Sequence, residues 1–294
     1  MTRLISSGRP DEDLNNLALN THVSLGDERI VVKIGGDLFP EAIPKIAKDL
    51  ASVVGRYRVL VVHGGGNEVT RIARKMGKEP RFVVSTSGFV SRYTDREMSD
   101  IFEMVMAGRI NKEIVRILHG HSVNAIGLSG LDGALIRAKR KEAIRVVEGG
   151  RRMILRGDYT GRIVDVNAGL LELLLDAGYV PVLAPVAMGL GHKALNVDGD
   201  RAAAHVASAV KASTLIFLTD VEGVMLDGAL VKRLKGVERI RDLVARVGRG
   251  MKRKVFASLE ALSGGVRRTV IASGLRDRPV TVALALEGCT VLEG

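Results

Sequence analysis

Short β-branched runs that end in glycine alternate with helical segments along most of this 294-residue chain. Residues 30–34 are followed by Gly35 and Gly36, and residues 59–62 lead through His63 into a run of three glycines. Each run is continuously apolar enough to be a buried strand of a parallel sheet. Further strand–turn–helix units follow in the second half of the chain. The alternation predicts an α/β fold around a mainly parallel central sheet.

Three expectations about individual segments follow from the same pattern. Helical spacing over residues 95–118 predicts one long amphipathic helix, with Thr94 as its N-cap and Glu97 completing a capping box. Residues 268–272 and 280–284 are predicted to be the last two strands. Residues 1–28 are polar and lack an apolar period, which indicates a flexible tail or an upstream start that is not used.

The composition limits the compartment and the kind of site. The only cysteine, Cys289, rules out an intramolecular disulfide framework or a zinc site built from cysteines, and it fits a reducing, cytoplasmic setting. No basic segment followed by an apolar one opens the chain, so we do not expect secretion. Residues 169–191 are the most apolar stretch, but they include Glu172 and Asp176 and are expected to be a buried helix and strand.

The chain is strongly basic, with 44 Lys or Arg against 33 Asp or Glu and a formal net charge of +11. Residues 137–162 contain nine basic and three acidic side chains, and residues 229–254 contain ten and two. Modules that bind nucleic acid by stacking bases need exposed aromatics, whereas this chain has six Phe, four Tyr and no Trp. Two further explanations are an acidic macromolecular partner and a solvated surface rich in ion pairs.

Two glycine runs have the composition of an anion-binding site. Glycines at the carboxyl end of a strand let backbone N–H groups approach a phosphate, and the next helix adds its N-terminal donors. Gly35 and Gly36 closely follow Lys33, and residues 64–66 end the second strand. A tight turn explains either run alone, but two such loops in one α/β unit favour a ligand site. The P-loop, dinucleotide-binding and protein-kinase signatures are all missing.

A second group of residues has the charges that phosphoryl transfer requires. Asp200 lies at the start of an alanine-rich helix, where it is either an N-cap or a functional acid. Lys254 lies near the start of another helix, where a cation opposes the helix dipole, and Lys33 ends a buried strand, where an unpaired ammonium is costly. Two fixed lysines, with an Asp that pairs with both, would stabilise the charge on a transferring phosphoryl group.

Ordered motifs over residues 29–294 resemble those of the amino acid kinase superfamily, and within it the acetylglutamate kinase group. The resemblance covers about nine tenths of the chain. It rests on residues 33–36, 63–66, 92–95, 111–113, 129–133, 196–200, 219–224 and 250–254. It implies a three-layer αβα sandwich with two lobes. Residues 29–192 would form the acceptor-binding lobe, and residues 193–294 the ATP-binding lobe.

Members of this family phosphorylate a carboxylate with ATP and Mg²⁺, and the matching positions imply a role for each residue. Lys33 and Lys254 would stabilise the transferring phosphoryl group, and Asp200 would position both lysines. The implied ATP-binding residues are Gly35, Gly36, Thr219, Asp220 and Gly223. The implied acceptor-binding residues are Gly64, Gly65, Gly66, Arg92 and Asn196, with Arg92 as a fork for the acceptor's α-carboxylate. Mg²⁺ would bind through the ATP phosphates, so no protein ligand to a metal is expected.

Two positions depart from acetylglutamate kinases. Leu131 stands where those enzymes usually have Lys, and residues 196–200 read Asn-Val-Asp-Gly-Asp where they usually read Asn-x-Asn-Ala-Asp. Both departures resemble a branch whose acceptor, 2-aminoadipate or glutamate, is linked through its amino group to a small acidic LysW-like carrier protein. That branch serves lysine synthesis and, in some archaea, arginine synthesis. The two basic clusters fit such a carrier.

Two other functions stay open at this point. A free-substrate N-acetyl-L-glutamate kinase of arginine biosynthesis shares every catalytic residue named above. A non-catalytic regulatory or nucleic-acid-binding protein on the same fold would be expected to have a broken catalytic set, yet Lys33, Asp200 and Lys254 are all present. In related kinases the helix over residues 96–118 pairs across a dimer. The resemblance therefore implies a homo-oligomer, a dimer or higher, with neither nucleic acid nor a membrane as partner.

Overall fold

The computed structural model describes residues 26–294, apart from the side chain of Arg249. The tail predicted for residues 1–28 lies outside the described residues, except for positions 26–28. The strands of the described part are β1 (Arg29–Ile34), β2 (Arg58–His63), β3 (Phe82–Ser85), β4 (Val90–Arg92), β5 (Ala125–Gly130), β6 (Ile136–Arg140), β7 (Ala143–Glu148), β8 (Arg151–Arg156), β9 (Gly161–Val166), β10 (Val180–Met188), β11 (Ala194–Asn196), β12 (Thr214–Thr219), β13 (Met225–Leu226), β14 (Ala229–Leu230), β15 (Arg233–Lys235), β16 (Arg268–Ser273) and β17 (Thr290–Glu293).

Helices connect most of these strands. They are α1 (Ile43–Val53), α2 (Gly66–Lys75), α3 (Arg96–Glu103), α4 (Asn111–Gly120), α5 (Ala168–Asp176), α6 (Gly199–Ala209), α7 (Val237–Arg246), α8 (Arg249–Ser263) and α9 (Pro279–Leu284). Among residues 26–294, no helix combines the length and the apolar character needed to cross a membrane.

Eleven strands form one central sheet. Its main path runs β15-β17-β16-β12-β1-β2-β10-β6-β9, and β5 and β11 also pair with β10. The central pairs are all parallel, namely β1 with β2 and β12, β10 with β2 and β5, and β12 with β16. Antiparallel pairing is limited to β9 with β6, β11 with β10, and β17 with β16. The predicted α/β fold with a mainly parallel sheet is confirmed.

Two apolar layers cover the faces of this sheet and complete the predicted three-layer sandwich. Ile30, Val32 and Ile34 of β1 pack with buried residues of α1 to α4 and α9. Val31 packs on the opposite face with buried residues of α5 to α8. Because successive side chains of a strand alternate between faces, Lys33 projects towards the same layer as Val31. That direction brings its ammonium group towards α6 and α8.

The boundary predicted at residues 192 and 193 between two lobes stays a prediction. The central sheet is continuous across it, since β1 and β12 are paired from Ile30 with Thr214 to Ile34 with Leu218. The segment before the boundary also contributes a separate four-stranded antiparallel sheet, in the order β4-β3-β7-β8. This small sheet extends from Arg92, opposite Phe82 on β3, to the exposed strand β8.

The long helix predicted over residues 95–118 is interrupted. A π-helical segment (Met104–Ile110) joins α3 to α4. The predicted N-cap was wrong, because the carboxylate of Asp95 caps α3 by accepting a bond from the Met98 N–H at 2.8 Å. Thr94 is engaged elsewhere, with its N–H donating to Asp158 at 2.9 Å. Glu97 pairs with Lys78 instead of closing a capping box.

The strand predicted over residues 280–284 was also wrong, because this segment is helix α9. Pro279 occupies its first turn, where the missing N–H costs nothing. The next two N–H groups, of Val280 and Thr281, donate to the carboxylate of Asp49 at 2.7 and 2.9 Å. Asp49 lies on α1, so a distant side chain satisfies the start of a helix whose sequence alternates like a strand. The last strand is β17.

We expect Asp49→Ala to lower the free energy of unfolding by about 2 kcal/mol, because it leaves two helix N–H groups without an acceptor in a buried place. Urea denaturation followed by circular dichroism measures the loss. The matched control is Asp277→Ala, whose side chain is 92% exposed and pairs with Lys45 on the surface. Equal losses in the two variants would contradict the capping role.

Candidate active site

A cavity of about 460 Å³ lies at the carboxyl ends of β1 and β2. This edge of an open parallel sheet is where such folds bind ligands. The cavity brings together positions as distant in sequence as 33 and 254. Nine of the thirteen predicted site residues line it: Lys33, Gly36, Gly64, Gly65, Gly66, Arg92, Asn196, Asp200 and Lys254.

A buried carboxylate joins the two predicted lysines. The Lys33 Nζ lies 2.7 Å from Oδ1 of Asp200, and the Lys254 Nζ lies 3.5 Å from Oδ2 of the same carboxylate. The side chains of Lys33 and Asp200 are each 7% exposed, and that of Lys254 is 14% exposed. Water therefore screens these charges weakly, and fixed ammonium groups in such a place can stabilise anionic phosphoryl oxygens.

The neighbours of Asp200 determine its ionisation. Burial raises the pKa of a carboxyl group, but the charges of Lys33 and Lys254 outweigh burial and hold the pKa of Asp200 below its ordinary value. Burial lowers the pKa of Lys254, although the charge of Asp200 opposes this change. One carboxylate thus faces two ammonium groups, which leaves the cluster with excess positive charge for an incoming anion.

Asp198 takes the capping role that the sequence allowed for Asp200. Its Oδ1 accepts bonds from the backbone N–H groups of Asp200 and Arg201, both at 3.0 Å. Its Oδ2 lies 3.5 Å from a guanidinium nitrogen of Arg253 on α8. Asp198 is therefore the N-cap of α6, and the carboxylate of Asp200 projects from the first helical turn towards the lysines. The geometry excludes the capping role for Asp200, and its catalytic role stays a prediction.

The two glycine loops pack against each other at the floor of the cavity. A Cβ atom on Gly36 would lie 2.7 Å from the backbone nitrogen of Gly65, and one on Gly64 would lie 2.9 Å from the nitrogen of Gly36. Gly65 also has a φ of +150°, a conformation that L side chains rarely adopt. Side chains at these positions would separate the loops, so glycine is required for backbone N–H groups of both loops to face one ligand.

Arg92 lines the cavity and keeps one buried guanidinium nitrogen unpaired. Its Nη2 donates to the Gly66 carbonyl at 2.8 Å and to Thr70 Oγ1 at 2.9 Å, and its guanidinium lies 4.9 Å from the ring centre of Phe82. Among the described residues nothing accepts a bond from its buried Nη1. Burial lowers the pKa of Arg92 to about 10, so the group remains cationic at neutral pH. An anionic ligand would satisfy the free nitrogen.

Asn196 lies on the wall beyond Arg92. Its side-chain Nδ2 donates to Thr94 Oγ1 at 3.0 Å, and its backbone N–H donates to the Tyr159 carbonyl at 2.9 Å. The same Thr94 hydroxyl donates to the Arg92 carbonyl at 3.2 Å. These bonds link the positions of Asn196 and Arg92 through the Thr94 hydroxyl.

Four predicted ATP-binding residues do not line the cavity. Gly35 donates its N–H to the Leu218 carbonyl at 2.9 Å and so joins the loop after β1 to β12. Thr219 donates to the side chain of Asp220 at 3.0 Å, and a Cβ on Gly223 would lie 2.6 Å from Thr290 Oγ1. Local packing accounts for these contacts, and the nucleotide role of Gly35, Thr219, Asp220 and Gly223 stays a prediction.

Sequence reasoning missed several charged residues of the cavity. It is lined by six basic and three acidic side chains: Lys33, Arg92, Lys141, Arg201, Arg253 and Lys254 against Asp37, Asp198 and Asp200. Asp37 directly follows a glycine loop and accepts a bond from Asn67, so its position was a usable signal. Lys141 follows β6 and no local pattern distinguishes it from the many other basic residues. The excess of positive charge favours anionic ligands.

The comparisons with known proteins agree with this geometry. The model of the amino acid kinase family matches residues 28–273. A relative from Thermus thermophilus, 45% identical over 271 residues and covering 89% of this chain and 99% of its own length, is named LysW-aminoadipate kinase. A relative from Cenarchaeum symbiosum is 52% identical over 268 residues, covering 90% of this chain and 98% of its own, and is named provisionally as a LysW-aminoadipate/LysW-glutamate kinase.

Solved structures show the same fold. The N-acetylglutamate synthase of Neisseria gonorrhoeae, complexed with coenzyme A and N-acetyl-glutamate, superposes with a TM-score of 0.76 at 25% identity. The match covers 92% of this chain and 60% of that longer one. The family model spans most of the chain, and the relatives match over nearly their whole lengths. The chain therefore belongs to the amino acid kinase family.

Proposed function

We propose that this protein transfers the γ-phosphoryl group of ATP to the side-chain carboxylate of 2-aminoadipate, or of glutamate, linked to a carrier protein. The observation that carries the proposal is the pair of lysines, Lys33 and Lys254, held by one buried Asp200 beside two glycine loops. The names of the relatives from Thermus thermophilus and Cenarchaeum symbiosum support the carrier-linked acceptor. The product is an acyl phosphate for amino-acid biosynthesis.

The reaction needs no general base. An acceptor carboxyl group with an ordinary pKa is already ionised at pH 7, so its oxygen can attack the γ-phosphorus directly. The new bond joins that oxygen to phosphorus, while the bond from phosphorus to the bridging oxygen breaks and ADP leaves with the electron pair. The ammonium groups of Lys33 and Lys254 neutralise charge on the phosphoryl oxygens, and the loops after β1 and β2 hold the reactants in line.

We infer that Mg²⁺ enters with ATP and is held by its phosphates. Residues 26–294 contain no cluster of three or more His, Cys, Asp or Glu that could bind a metal. Asp200 is already paired with two lysines. When bound, Mg²⁺ would neutralise part of the phosphate charge. The glycine N–H groups and lysines would supply the remaining contacts, which agrees with their arrangement around the cavity.

The acceptor's α-carboxylate is assigned to Arg92. Its free Nη1 and its cationic charge suit a carboxylate, and stacking on Phe82 holds the guanidinium plane in place. Asn196 also lines the cavity and would make a second contact with the acceptor. Binding one carboxylate at Arg92 would direct the second one, at the far end of the acceptor, towards Lys33 and Lys254.

The small sheet offers a docking surface for an acidic carrier. Its strands β3 and β4 contribute Phe82, Val90, Ser91 and Arg92 to the cavity lining. Its other edge, β8, presents the exposed side chains of Arg151, Arg152 and Arg156. A carrier on this edge would be joined to the cavity by one continuous sheet, and its negative charge would be attracted by the basic cluster of residues 137–162.

We further infer a cytoplasmic homo-oligomer. The helical segment α3–π–α4 exposes Met104, whose side chain is 52% accessible, next to buried Val105 and Met106. An exposed methionine on such a segment suits a contact between subunits. N-acetyl-L-glutamate kinase activity is the alternative for the acceptor, and it uses the same lysines. We favour the carrier-linked acceptor because the relatives named above carry that name and because β8 is basic.

The first test compares three acceptors by trapping the acyl phosphate with hydroxylamine in the presence of ATP and Mg²⁺. We expect turnover with carrier-linked aminoadipate and carrier-linked glutamate, and little with free N-acetylglutamate. The ratio between the two carrier-linked acceptors assigns the protein to lysine synthesis, arginine synthesis or both. If only free N-acetylglutamate is turned over, N-acetylglutamate is the acceptor and the carrier-linked assignment is refuted. If no acceptor is turned over, the kinase function is refuted.

Lys254→Ala is expected to lower kcat about 100-fold or more while changing the KM for ATP only a few-fold, because the lost charge acts mainly on the transferring group. Steady-state kinetics with the preferred acceptor separates the two constants. Lys48→Ala, on the exposed face of α1, is the control and should match the wild type. A raised KM for ATP with an unchanged kcat would mean that Lys254 only binds nucleotide.

Reversing the charges on β8, with Arg151→Glu and Arg152→Glu together, should raise the KM for the carrier-linked acceptor more than tenfold and weaken its dependence on salt. The matched control reverses Arg239 and Arg241, two exposed residues of α7 in the second basic cluster. A larger effect from the α7 pair would move the docking surface away from the small sheet.

A further inference from the structure

A buried His–Asn pair lies directly behind the second glycine loop. His63 ends β2 with 1% of its surface exposed, and Asn111 begins α4 fully buried. The Asn111 Nδ2 lies 3.2 Å from the His63 Nε2 and donates to the Val182 carbonyl of β10 at 2.9 Å. Neither residue lines the cavity, and the reaction described above gives neither of them a role.

The hydrogen bonds fix which imidazole nitrogen carries the proton. The Lys112 Nζ donates to Asn111 Oδ1 at 3.2 Å, so the amide oxygen is an acceptor and Nδ2 is the donor that faces His63. The His63 Nε2 must then accept, which puts the ring proton on Nδ1, 2.9 Å from the Gly64 carbonyl. Burial lowers the pKa of His63 to about 4 despite that bond, so the ring is neutral at pH 7.

The bond from His63 to the Gly64 carbonyl also orients the N–H group of the next residue, Gly65. In a planar trans peptide the C=O and the following N–H point in opposite directions. With the Gly64 carbonyl turned to the buried imidazole, the N–H of Gly65 points away from it, and the Gly65 nitrogen lies where this loop packs against Gly36. In the loops and turns of residues 26–294, no backbone carbonyl accepts a bond from this N–H.

The π-helical segment supports the same peptide from a second side. A Cβ on Gly65 would lie 2.1 Å from Cδ1 of Ile110 and 3.4 Å from the sulfur of Met106. Both side chains come from the π-helical turn immediately before Asn111, and such turns recur at functional sites. The irregular helix thus presents Met106, Ile110 and Asn111 together against the loop.

We propose that His63 and Asn111 are positioning residues that fix the Gly64–Gly65 peptide, so that the Gly65 N–H donates to the transferring phosphoryl group. This inference rests on the proposed kinase function. A donor held in place before the reaction stabilises the developing charge without rearrangement. His63 acts through the backbone of Gly64, and Asn111 acts through His63 by keeping its proton on Nδ1.

Two substitutions of His63 test its bond to the Gly64 carbonyl separately from its contact with Asn111. In His63→Asn the amide Nδ2 takes the place of Nδ1 and keeps the donor to the Gly64 carbonyl. In His63→Gln the amide takes the place of Nε2 and keeps the contact with Asn111 alone. We expect kcat to fall less than tenfold in His63→Asn and about 100-fold in His63→Gln, with the KM values for ATP and acceptor changed less than threefold in both.

Matched measurements distinguish positioning from packing. Asn111→Leu removes the donor to Nε2 but leaves the bond from Nδ1 to the Gly64 carbonyl, so kcat should fall less than tenfold, as in His63→Asn. Thermal unfolding of every variant checks stability. His119→Asn, at the far end of α4, is the control and should match the wild type. Equal kcat values for His63→Asn and His63→Gln, or losses that appear in KM, would overturn the proposal.

An NMR measurement tests the donor itself, independently of turnover. In the wild type and in His63→Asn, the amide proton of Gly65 should move downfield on addition of ADP, aluminium fluoride and Mg²⁺, which mimic the transferring group. In His63→Gln the shift should be lost. An unmoved Gly65 amide in the wild type would refute the donor, whereas failure of every acceptor in the trapping assay would refute the kinase function alone.

Discussion

A carboxylate almost fully removed from water holds this protein's reactive site together. Asp200 lies between the ammonium groups of Lys33 and Lys254, and without either lysine a buried charge would lose part of its compensation. Three elements must therefore meet within a few ångströms. The alternation of β1 directs Lys33 to the correct face, Asp198 caps α6 in place of Asp200, and α8 brings in Lys254. The remaining excess of positive charge is what a nucleotide phosphate and an acceptor carboxylate would neutralise.

The second constraint on the site is the close approach of the backbones of the two glycine loops. The loops after β1 and β2 touch at distances that allow no side chain at Gly36 or Gly64, so their N–H groups can converge on one ligand. Glycine removes the steric barrier but leaves the peptides free to rotate, and other residues must fix them. The bonds from His63 and Asn111 supply that restraint from the protein interior, where water cannot compete for them.

The small antiparallel sheet connects the cavity with the exposed surface on which we propose that the carrier docks. One of its edges places Arg92 in the cavity, and the other exposes the arginines of β8. A protein that binds its acceptor on a carrier needs both a narrow site for the reacting group and a broad surface for the carrier. In the function that we propose, the four-stranded sheet would supply both, and the arginines of β8 would complement an acidic partner.

Local periodicity and short motifs were enough to predict the alternation of strands and helices, the parallel sheet and the residue types of the charged cluster in the cavity. They did not determine helix α9 or the cap of α3. Val280 and Thr281 alternate like a strand, but the carboxylate of Asp49, more than 200 residues earlier, accepts their N–H groups. Thr94 has the chemistry of a cap, but its hydroxyl accepts a bond from Asn196 and donates to the Arg92 carbonyl. Tertiary structure decided these cases, since the partner that satisfies a buried polar group is chosen by folding and not by neighbours in sequence.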